Sequence, residues 1–414
     1  MLKSSLVSSL PLVAAGALVV TACGDAGPPG HTFEIVEEDG GPVAVSSAIP
    51  KFDGELFAYE KVLVIRPDPG NVESLLYRPA SFTLGDDGNY YAADRGNHRI
   101  VVFDGEGSFV RAFGREGDGP GELRSPLLVE VRGDQVLVFD SSTTIFRKDG
   151  TLVDVLSSPA GRFAQPTRDG SLFVEGGTRS TREGMNYFGA RGQVVDEAGE
   201  VVALVETPQI RMDSMLAYKG APSVMLTPAE EIVATTGAEP VITWHGLDGR
   251  PLRKARLDLP PEPVTQADRA AVEDLWDERI ERERRSAGGD VIPDEFLLHL
   301  KQEVQYPETK AFWGRPIIDD AGWLWLPVSV ADTGLATIGQ APIETRPRFR
   351  IIDSRGEYIG MTDWPEEALT PRGTNIIRGH LLTMVWDEQA DEMLPTVYRI
   401  LPTAAGLTYP PDGR

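Results

Sequence analysis

The feature that most constrains this chain is a recurring pattern of short apolar segments separated by tight turns, many of which place glycine beside an acidic residue. Residues 80–123 contain four such segments: Ala80–Leu84, Tyr90–Asp94, His98–Phe103 and Ser108–Phe113. Glycine supplies the positive φ angle that tight hairpin turns require. The pattern therefore predicts four antiparallel strands that form one small meander sheet.

The same pattern returns downstream and divides the chain into six units. The later strand segments are 127–131, 136–140, 144–147 and 152–156; 164–167, 172–175, 187–196 and 200–206; 223–227, 232–236, 241–245 and 252–257; 315–318, 323–328, 348–352 and 358–362; and 374–377, 381–386 and 397–401. The sixth unit has three strands, and the upstream segment Phe57–Ile65 can complete it. Closing a ring in this way removes its exposed end. The chain is therefore predicted to be all-β, a six-bladed β-propeller.

A helical insert is predicted at residues 262–304, between blades 4 and 5. Thr265 and Asp268 have nearly the spacing of a capping box. Val272 and Trp276 recur at helical spacing on one apolar face. We expect two helices, separated by a Gly-Gly pair, that pack onto the propeller.

The composition excludes one broad class of partner. The chain has 414 residues, with 40 Lys and Arg against 63 Asp and Glu, which gives a formal net charge of −23. Such a surface repels phosphate backbones, so nucleic-acid binding is not expected.

The N-terminus is typical of an exported protein. Lys3 precedes an apolar run from Leu6 to Val20, which is too short for a transmembrane helix but suits a signal peptide. Cys23 is the only cysteine, so an internal disulfide is impossible.

The sequence Val20-Thr21-Ala22-Cys23 resembles a bacterial lipobox, which implies acylation of Cys23 and attachment to a lipid bilayer. Residues 1–22 would then be a lipoprotein signal peptide, and 23–52 the acylated cysteine with a flexible tether. The propeller would span 53–402, with a C-terminal tail at 403–414. In Gram-negative lipoproteins an Asp after the cysteine favours retention in the inner membrane, so with Gly24 at this position the resemblance implies the outer membrane of a Gram-negative cell envelope. In other bacteria the site would be the outer face of the cytoplasmic membrane.

One unit closely resembles the NHL repeat. The matching residues are Ala93-Asp94-Arg95-Gly96-Asn97-His98-Arg99-Ile100, Phe103-Asp104, Phe113-Gly114, Pro120-Gly121-Glu122-Leu123 and Pro126. Across the whole chain the arrangement is similar to bacterial lipoproteins described as six-bladed β-propellers. This resemblance implies a shape and does not imply an activity.

The lengths of the loops indicate which face of the propeller is functional. Turns after strands 1 and 3 of each blade are short, whereas the segments that join strands 2 and 3, or successive blades, are longer. The long segments are Gly176–Asn186, Ser329–Pro347, Asp387–Leu394 and the helical insert. Loops that grow on one face suggest a binding surface at the mouth of the central channel. The candidate ligand-binding residues are Arg95, Asp140, Arg179, Arg182, Trp313, Arg315 and Asp387. The alternative is that these loops only cover apolar surface.

The sequence contains few of the motifs that catalytic sites require. Among the five histidines no two have the spacing of a zinc pair, and the G-x-S-x-G nucleophile elbow is absent. No cofactor is predicted. A Ca²⁺ site at Asp94 and Asp140 is the alternative to a turn-capping role for these carboxylates. We therefore expect a membrane-tethered, extracytoplasmic module that binds an envelope protein, a peptide or a glycan. The alternative is a metal-assisted lyase or hydrolase in the channel, because some propellers with similar repeats are lactonases or lyases.

Overall fold

The computed structural model describes residues 27–38, 41–156, 164–213, 215–285, 293–328, 348–368, 373–387 and 392–411. The predicted signal peptide, the predicted lipidation site Cys23 and the predicted loop 329–347 lie outside the described residues.

The described chain is mostly β. Its first three strands are β1 (Phe33–Glu38), β2 (Gly41–Ser46) and β3 (Phe57–Val64). The later strands are β4 (Ser81–Leu84), β5 (Tyr90–Asp94), β6 (Arg99–Phe103), β7 (Phe109–Phe113), β8 (Leu128–Arg132), β9 (Gln135–Phe139), β10 (Thr143–Arg147), β11 (Leu152–Leu156), β12 (Ala164–Pro166), β13 (Leu172–Arg182), β14 (Met185–Val195), β15 (Val201–Glu206), β16 (Ile210–Arg211), β17 (Ser223–Leu226), β18 (Ile232–Thr235), β19 (Val241–His245), β20 (Pro251–Leu257), β21 (Ile317–Ile318), β22 (Leu324–Pro327), β23 (Arg348–Ile352), β24 (Tyr358–Asp363), β25 (Asn375–Ile377), β26 (His380–Asp387) and β27 (Glu392–Pro402). Two helices, α1 (Gln266–Arg285) and α2 (Asp294–Gln302), lie between β20 and β21 in the chain.

These strands form six separate sheets, numbered here in chain order. Sheets 1 to 5 contain β4–β7, β8–β11, β12–β15, β17–β20 and β21–β24, and sheet 6 contains β25, β26, β27 and β3. Clusters of buried apolar side chains join sheets 1 and 2, 3 and 4, 4 and 5, and 5 and 6. Sheets 2 and 3 are joined by hydrogen bonds, one of them from Arg132 to the Pro166 carbonyl oxygen at 2.9 Å. A further cluster joins sheet 6 back to sheet 1, so the sheets follow one another in a cycle.

The last sheet is completed by the N-terminal strand β3, as the sequence predicted. Strand β3 pairs antiparallel with β27, from Phe57 opposite Pro402 to Val64 opposite Thr396. Each partner satisfies the backbone groups that the other would leave exposed at a sheet edge. The prediction that an upstream strand completes the last sheet is confirmed.

Residues after β27 also pack against β3 and against sheet 5. Tyr409 is buried, and its ring lies 4.9 Å from that of Phe57 and 5.3 Å from that of Trp323. Its hydroxyl donates a hydrogen bond to the Asp319 carboxylate at 2.6 Å. Most of the segment predicted as a C-terminal tail is therefore anchored to sheets 5 and 6.

The prediction of a flexible tether at 23–52 is wrong for residues 33–46. Strand β1 pairs with β2, and β2 adds in parallel to β20 at the outer edge of sheet 4. The chain then follows the outer strand of sheet 5, where the backbone N–H groups of Lys51 and Phe52 donate to the carbonyls of Tyr358 and Ile359. We call residues 27–56 the N-terminal belt, because they connect the outer edges of sheets 4 and 5 before β3 joins sheet 6.

The turns after the first and third strands of each sheet lie on one face, which we call the short-turn face. Basic side chains near this face donate to carbonyl groups in turns of the neighbouring sheets. Arg168 donates to the Pro228 carbonyl at 2.9 Å, Arg253 to the Ser354 carbonyl at 3.0 Å, and Arg378 to the Gly85 carbonyl at 3.2 Å. The opposite face carries the longer segments, and we call it the expanded face.

Candidate functional site

A two-stranded hairpin is one of the main features of the expanded face. Strands β13 and β14 stay in register as far as the pair Arg182 and Met185. The two-residue turn between them, Glu183-Gly184, has positive φ angles of 50° and 78°, as a tight hairpin turn requires. The segment Gly176–Asn186, predicted to be a loop, is therefore an ordered extension of sheet 3, which we call the sheet 3 hairpin.

The sheet 3 hairpin presents two arginines that lie over aromatic rings of the neighbouring strand. The Arg179 guanidinium lies 5.0 Å from the centre of the Phe188 ring, and that of Arg182 lies 5.1 Å from the Tyr187 ring. Both arginines are exposed. One Nη atom of each guanidinium also donates a hydrogen bond, from Arg179 to the Asn186 side chain at 3.4 Å and from Arg182 to the Gln209 side chain at 3.3 Å. Stacking on an aromatic face and these bonds restrict each guanidinium, which has further N–H groups that can bind carboxylates.

The connection between sheets 3 and 4 supports the hairpin. The Ser180 hydroxyl donates to the Gln209 side chain at 2.7 Å, and the Asn186 backbone N–H donates to Asp213 at 2.8 Å. Burial opposes ionisation of Asp213, but hydrogen bonds from Asn186 and Arg211 outweigh it, and the pKa of this carboxyl lies below its usual value. The carboxylate is therefore charged at neutral pH and holds the hairpin to the connection.

Both helices pack against the continuation of this connection. Val272 and Trp276 of α1 and Leu297 of α2 form one buried cluster with Ala217 and Tyr218. The expected cap is present, because the Thr265 N–H donates to Asp268 at 2.8 Å and the Asp268 N–H to the Thr265 hydroxyl at 3.2 Å. The hairpin, the connection and the helices are thus one contiguous body on the expanded face.

Arg315 joins this body at the base of the hairpin. Its guanidinium lies 3.1 Å from the carboxylate of Glu175, which is largely buried in β13. This ion pair connects β13 of sheet 3 to the segment that precedes β21 of sheet 5. It therefore joins two sheets that are separated by sheet 4. Three predicted site residues, Arg179, Arg182 and Arg315, therefore belong to one part of the molecule.

Arg95 and Asp140 come together at a second place, around Ser125. The Arg95 guanidinium donates to the Ser125 hydroxyl at 2.7 Å, and the Ser125 backbone N–H donates to the Asp140 carboxylate at 2.8 Å. Asp140 also accepts from the Arg124 N–H at 2.5 Å. These bonds fix the long connection between sheets 1 and 2.

Asp94 holds the corresponding connection before sheet 1. It has no exposed surface, and its carboxylate accepts from the Tyr77 N–H at 2.7 Å, from Asn97 at 2.8 Å and from Arg99 at 2.9 Å. The adjacent turn needs Gly96, because a Cβ atom there would lie 2.4 Å from the Tyr77 carbonyl oxygen. Within the described residues, no group of three His, Cys, Asp or Glu side chains has a geometry that could hold a metal ion.

Comparison with known proteins agrees with this geometry. Residues 76–103, which include Asp94, Asn97 and Arg99, match the family model of the NHL repeat. The chain is an NHL-like β-propeller. A search of curated proteins found no match.

Several solved structures resemble the chain at low identity. A candidate exported protein from Bacteroides fragilis is 12% identical, with 83% of this chain and 95% of that chain covered and a TM-score of 0.46. A member of the DUF4221 family from Bacteroides vulgatus is 13% identical, with 84% and 99% covered and a TM-score of 0.42. Virginiamycin B lyase from Staphylococcus aureus is 12% identical, with 84% and 89% covered and a TM-score of 0.35. TM-scores this low carry no structural argument. The assignment of the fold therefore rests on the strand pairing of the NHL-like propeller itself.

Two predicted site residues lie apart from both groups. Trp313 has no exposed surface, and its indole N–H donates to the Thr235 hydroxyl at 3.1 Å. The prediction that Trp313 contacts a ligand is therefore wrong, because it belongs to the core between sheets 4 and 5. Asp387 forms an ion pair with Arg66 at 2.6 Å beside sheet 6.

Sequence reasoning missed the residues that support the hairpin. Gln209, Arg211 and Asp213 lie in the connection between sheets 3 and 4, and Tyr187 and Phe188 lie beneath the arginines. The signal that could have found the first group is length, because residues 207–222 form a connection much longer than a turn. No helix among the described residues combines the length and apolar character needed to cross a bilayer.

Proposed function

We propose that this chain is a six-bladed, NHL-type propeller lipoprotein that binds an extracytoplasmic ligand on its expanded face. Residues 262–304 form its helical insert, and acylated Cys23 attaches it to the bacterial cell envelope. The ligand is an envelope protein, a peptide or a glycan. The body formed by the sheet 3 hairpin, the connection after it and the two helices supplies the binding surface.

The observation that carries this proposal is the pair of stacked arginines on the sheet 3 hairpin. The protein has a formal charge of −23, yet this exposed hairpin presents Arg179 and Arg182 over aromatic rings. Stacked guanidinium groups favour carboxylates and other planar anions, which they bind through paired hydrogen bonds. The ligand class that fits is an acidic peptide or an acidic glycan.

The test uses defined probes with the intact protein. Polygalacturonate oligosaccharides and a poly-glutamate peptide represent the two acidic classes, and neutral dextran is the comparison. We expect one acidic probe to bind, and R179A/R182A to weaken its binding by roughly tenfold or more, because each charge-assisted contact contributes about 1.5–3 kcal/mol. Isothermal titration calorimetry measures the change.

The control replaces two exposed arginines of the short-turn face, in the variant R147A/R250A. This double variant removes the same net charge and should bind the probe as the wild type does. An equal loss in both variants would mean that only the overall charge matters. No binding of either acidic probe would remove the proposed ligand class.

The enzyme alternative, a metal-assisted lyase or hydrolase in the channel, stays a hypothesis. Its weak candidates Asp94 and Asp140 both accept backbone hydrogen bonds, which favours the turn-capping role. Added Ca²⁺ should therefore leave the Tm unchanged, and a rise in Tm that D94N and D140N abolish would favour the enzyme.

A further inference from the structure

The two arginines of the sheet 3 hairpin lie on opposite faces of the two-stranded ribbon. In the pairing of β13 with β14, Arg179 is opposite Phe188 and Ser180 is opposite Tyr187. Residues that are paired across two strands share a face of the sheet, whereas neighbours along one strand point to opposite faces. Arg179 therefore lies with Phe188 on one face, and Arg182, two residues after Ser180, lies with Tyr187 on the other.

This arrangement indicates how a ligand is held. We propose that an extended acidic peptide adds as a strand to the open edge of β13, residues 175–182, and that Arg179 and Arg182 bind its carboxylates from the two faces. The inference rests on the proposed function, because it names the ligand and the binding mode of the same surface.

The face of Arg179 presents hydrogen-bond donors to a ligand. The amide oxygen of Asn186 accepts from the Arg179 guanidinium at 3.4 Å and from the Thr181 hydroxyl at 3.3 Å. Because a guanidinium only donates, the amide oxygen must be turned towards it, and the amide nitrogen of Asn186 is a further donor. A group of N–H donors around one positive charge fits a carboxylate.

The opposite face repeats the same combination of groups. The amide oxygen of Gln209 accepts from the Arg182 guanidinium at 3.3 Å and from the Ser180 hydroxyl at 2.7 Å. Each arginine is therefore held by an aromatic ring and by an amide oxygen, with a hydroxyl on the same oxygen. The hairpin thus carries two similar carboxylate subsites that are separated by the thickness of the ribbon.

One edge of the hairpin is open to an added strand. β12 pairs with β13 along Leu172–Val174, and beyond Val174 the described residues give β13 no strand partner other than β14. Gly177 is exposed, and since it has no side chain, this exposure belongs to its backbone. An exposed edge is a template for another strand, and a glycine within a strand often marks a place where another backbone approaches. The other edge is occupied, because β16 pairs with β14.

The charges around the hairpin leave both arginines available. Glu175 lies on the same face as Arg179, but it pairs with Arg315 at 3.1 Å. Among the described residues, neither Arg179 nor Arg182 forms an ion pair, although the exposed Glu183 directly follows Arg182. An added acidic strand would supply the charges that these arginines lack.

A peptide strand suits two arginines that point in opposite directions. Its side chains also alternate between the two faces, so acidic residues an odd number of positions apart present one carboxylate to each face. Arg179 and Arg182 are three positions apart, so three is the best spacing in the peptide as well. Acidic residues four positions apart lie on one face and reach one arginine only. A glycan cannot form the backbone ladder of a strand, so the open edge favours the peptide.

Two peptides test this spacing with the unaltered protein. Both are amidated, carry tetramethylrhodamine at the N-terminus, and contain the same Thr, Val and Ser residues with two Glu residues. The Glu residues are three positions apart in one peptide and four apart in the other. We expect the first to bind roughly fivefold more tightly or better in fluorescence anisotropy, because it gains a second cross-strand charge pair. Equal affinities would overturn strand addition.

Single substitutions show whether both faces contribute. R179A and R182A should each lower the affinity for the peptide with spacing three to about that of the peptide with spacing four. The peptide with spacing four should lose no more than about twofold in either variant, since it can use the remaining face. A loss confined to one of the two variants would contradict binding from both faces.

Alternate N-methylation of the peptide with spacing three tests the backbone contacts. Only every second N–H of an added strand points to its neighbour. Methylation of one alternate set should therefore abolish binding, and methylation of the other set should leave most of it. Equal effects of the two patterns would mean that the peptide is not bound as a strand.

The same measurements separate this inference from the proposed function. If both peptides bind equally and R179A/R182A weakens both, the acidic ligand class stands and strand addition fails. If polygalacturonate oligosaccharides bind and neither peptide does, the ligand is an acidic glycan and strand addition fails again. If no acidic probe binds, both proposals fail.

Discussion

At the scale of single residues, Asp319 connects the turn between β21 and β22 to the C-terminal segment. One of its carboxylate oxygens accepts from the Ala321 N–H at 3.0 Å and from the Trp323 N–H at 2.7 Å. The other accepts from the Trp325 indole at 3.1 Å and from the Tyr409 hydroxyl at 2.6 Å. This carboxyl has no exposed surface, so its ionisation is coupled to folding.

The stability of the protein should depend on the titration of Asp319. Burial raises the pKa of Asp319 from 3.8 to about 6. The folded protein therefore holds this proton more tightly than the unfolded chain, and the contribution of Asp319 to stability falls as the pH rises from about 4 to above 6. The full difference is about 3 kcal/mol. Relative to wild type, D319N should gain stability between pH 4.5 and pH 7.5, as measured by urea unfolding.

The control for this titration is Asp353, which occupies the same turn position after β23. It accepts the N–H groups of Arg355 and Glu357 and also pairs with the Arg355 guanidinium at 2.9 Å. D353N removes a comparable set of turn contacts without touching Asp319. If D319N and D353N show the same dependence on pH, Asp319 is not the group that titrates.

The sequence predicted some residue roles and missed others for a physical reason. The role of Asp94 was predictable, because its amide and guanidinium partners lie within five residues in a known repeat motif. The burial of Trp313 was not, because its hydroxyl partner Thr235 is 78 residues away in the chain. Local motifs reveal local hydrogen bonds, whereas burial depends on which distant segments meet.

At the scale of elements, one substitution can test whether the pairing of β2 with β20 holds the N-terminal belt on the propeller. Val43 in β2 is 3% exposed. V43D places a carboxylate at this buried position, and a buried unpaired charge costs more free energy than the docking of a short hairpin supplies. We expect the belt to detach, limited proteolysis to remove residues 27–50, and the Tm to fall by a few degrees. Intact-mass analysis of the digest identifies the cleaved segment.

The matched control is I35D in β1, on the outer strand of the same hairpin, where Ile35 is 38% exposed. This variant introduces the same charge at a site that water reaches, so the belt should stay docked. If V43D resists protease as well as I35D does, the pairing of β2 with β20 does not hold the belt.

The strands within each sheet were largely predictable, whereas the belt and the sheet 3 hairpin were not. Turn residues mark strand ends locally, and most predicted strand bounds differ from those of the structure by one or two residues. The belt is rich in glycine and proline, and its parallel pairing with β20 joins segments about 210 residues apart. In the hairpin, Gly176 and Gly177 suggested a loop, but β13 continues through both.

At the scale of the whole molecule, the completion of the last sheet by an upstream strand was predictable from the number of strand segments in the sequence. Six units with one strand missing require a strand from elsewhere, and the unassigned apolar segment supplied it. The face on which each loop lies was also predictable, because successive strands of a sheet run in opposite directions. The contacts that join the sheet 3 hairpin to the helices were not predictable, because they depend on how two long connections pack against each other.

A disulfide across the closing strands tests whether the ring is one cooperative unit. Glu60 and Arg399 are directly opposite in β3 and β27, half-exposed, and 339 residues apart. Antiparallel neighbours suit disulfide geometry, and in a C23S background E60C/R399C leaves no competing thiol. Chain entropy predicts stabilisation of roughly 6 kcal/mol for this loop, against roughly 3 kcal/mol for the control R191C/E206C, which closes a 15-residue loop within sheet 3. We expect the closing disulfide to raise the urea midpoint more than the control. Equal shifts would mean that the sheets unfold independently, because a crosslink stabilises only the unit whose unfolding it constrains.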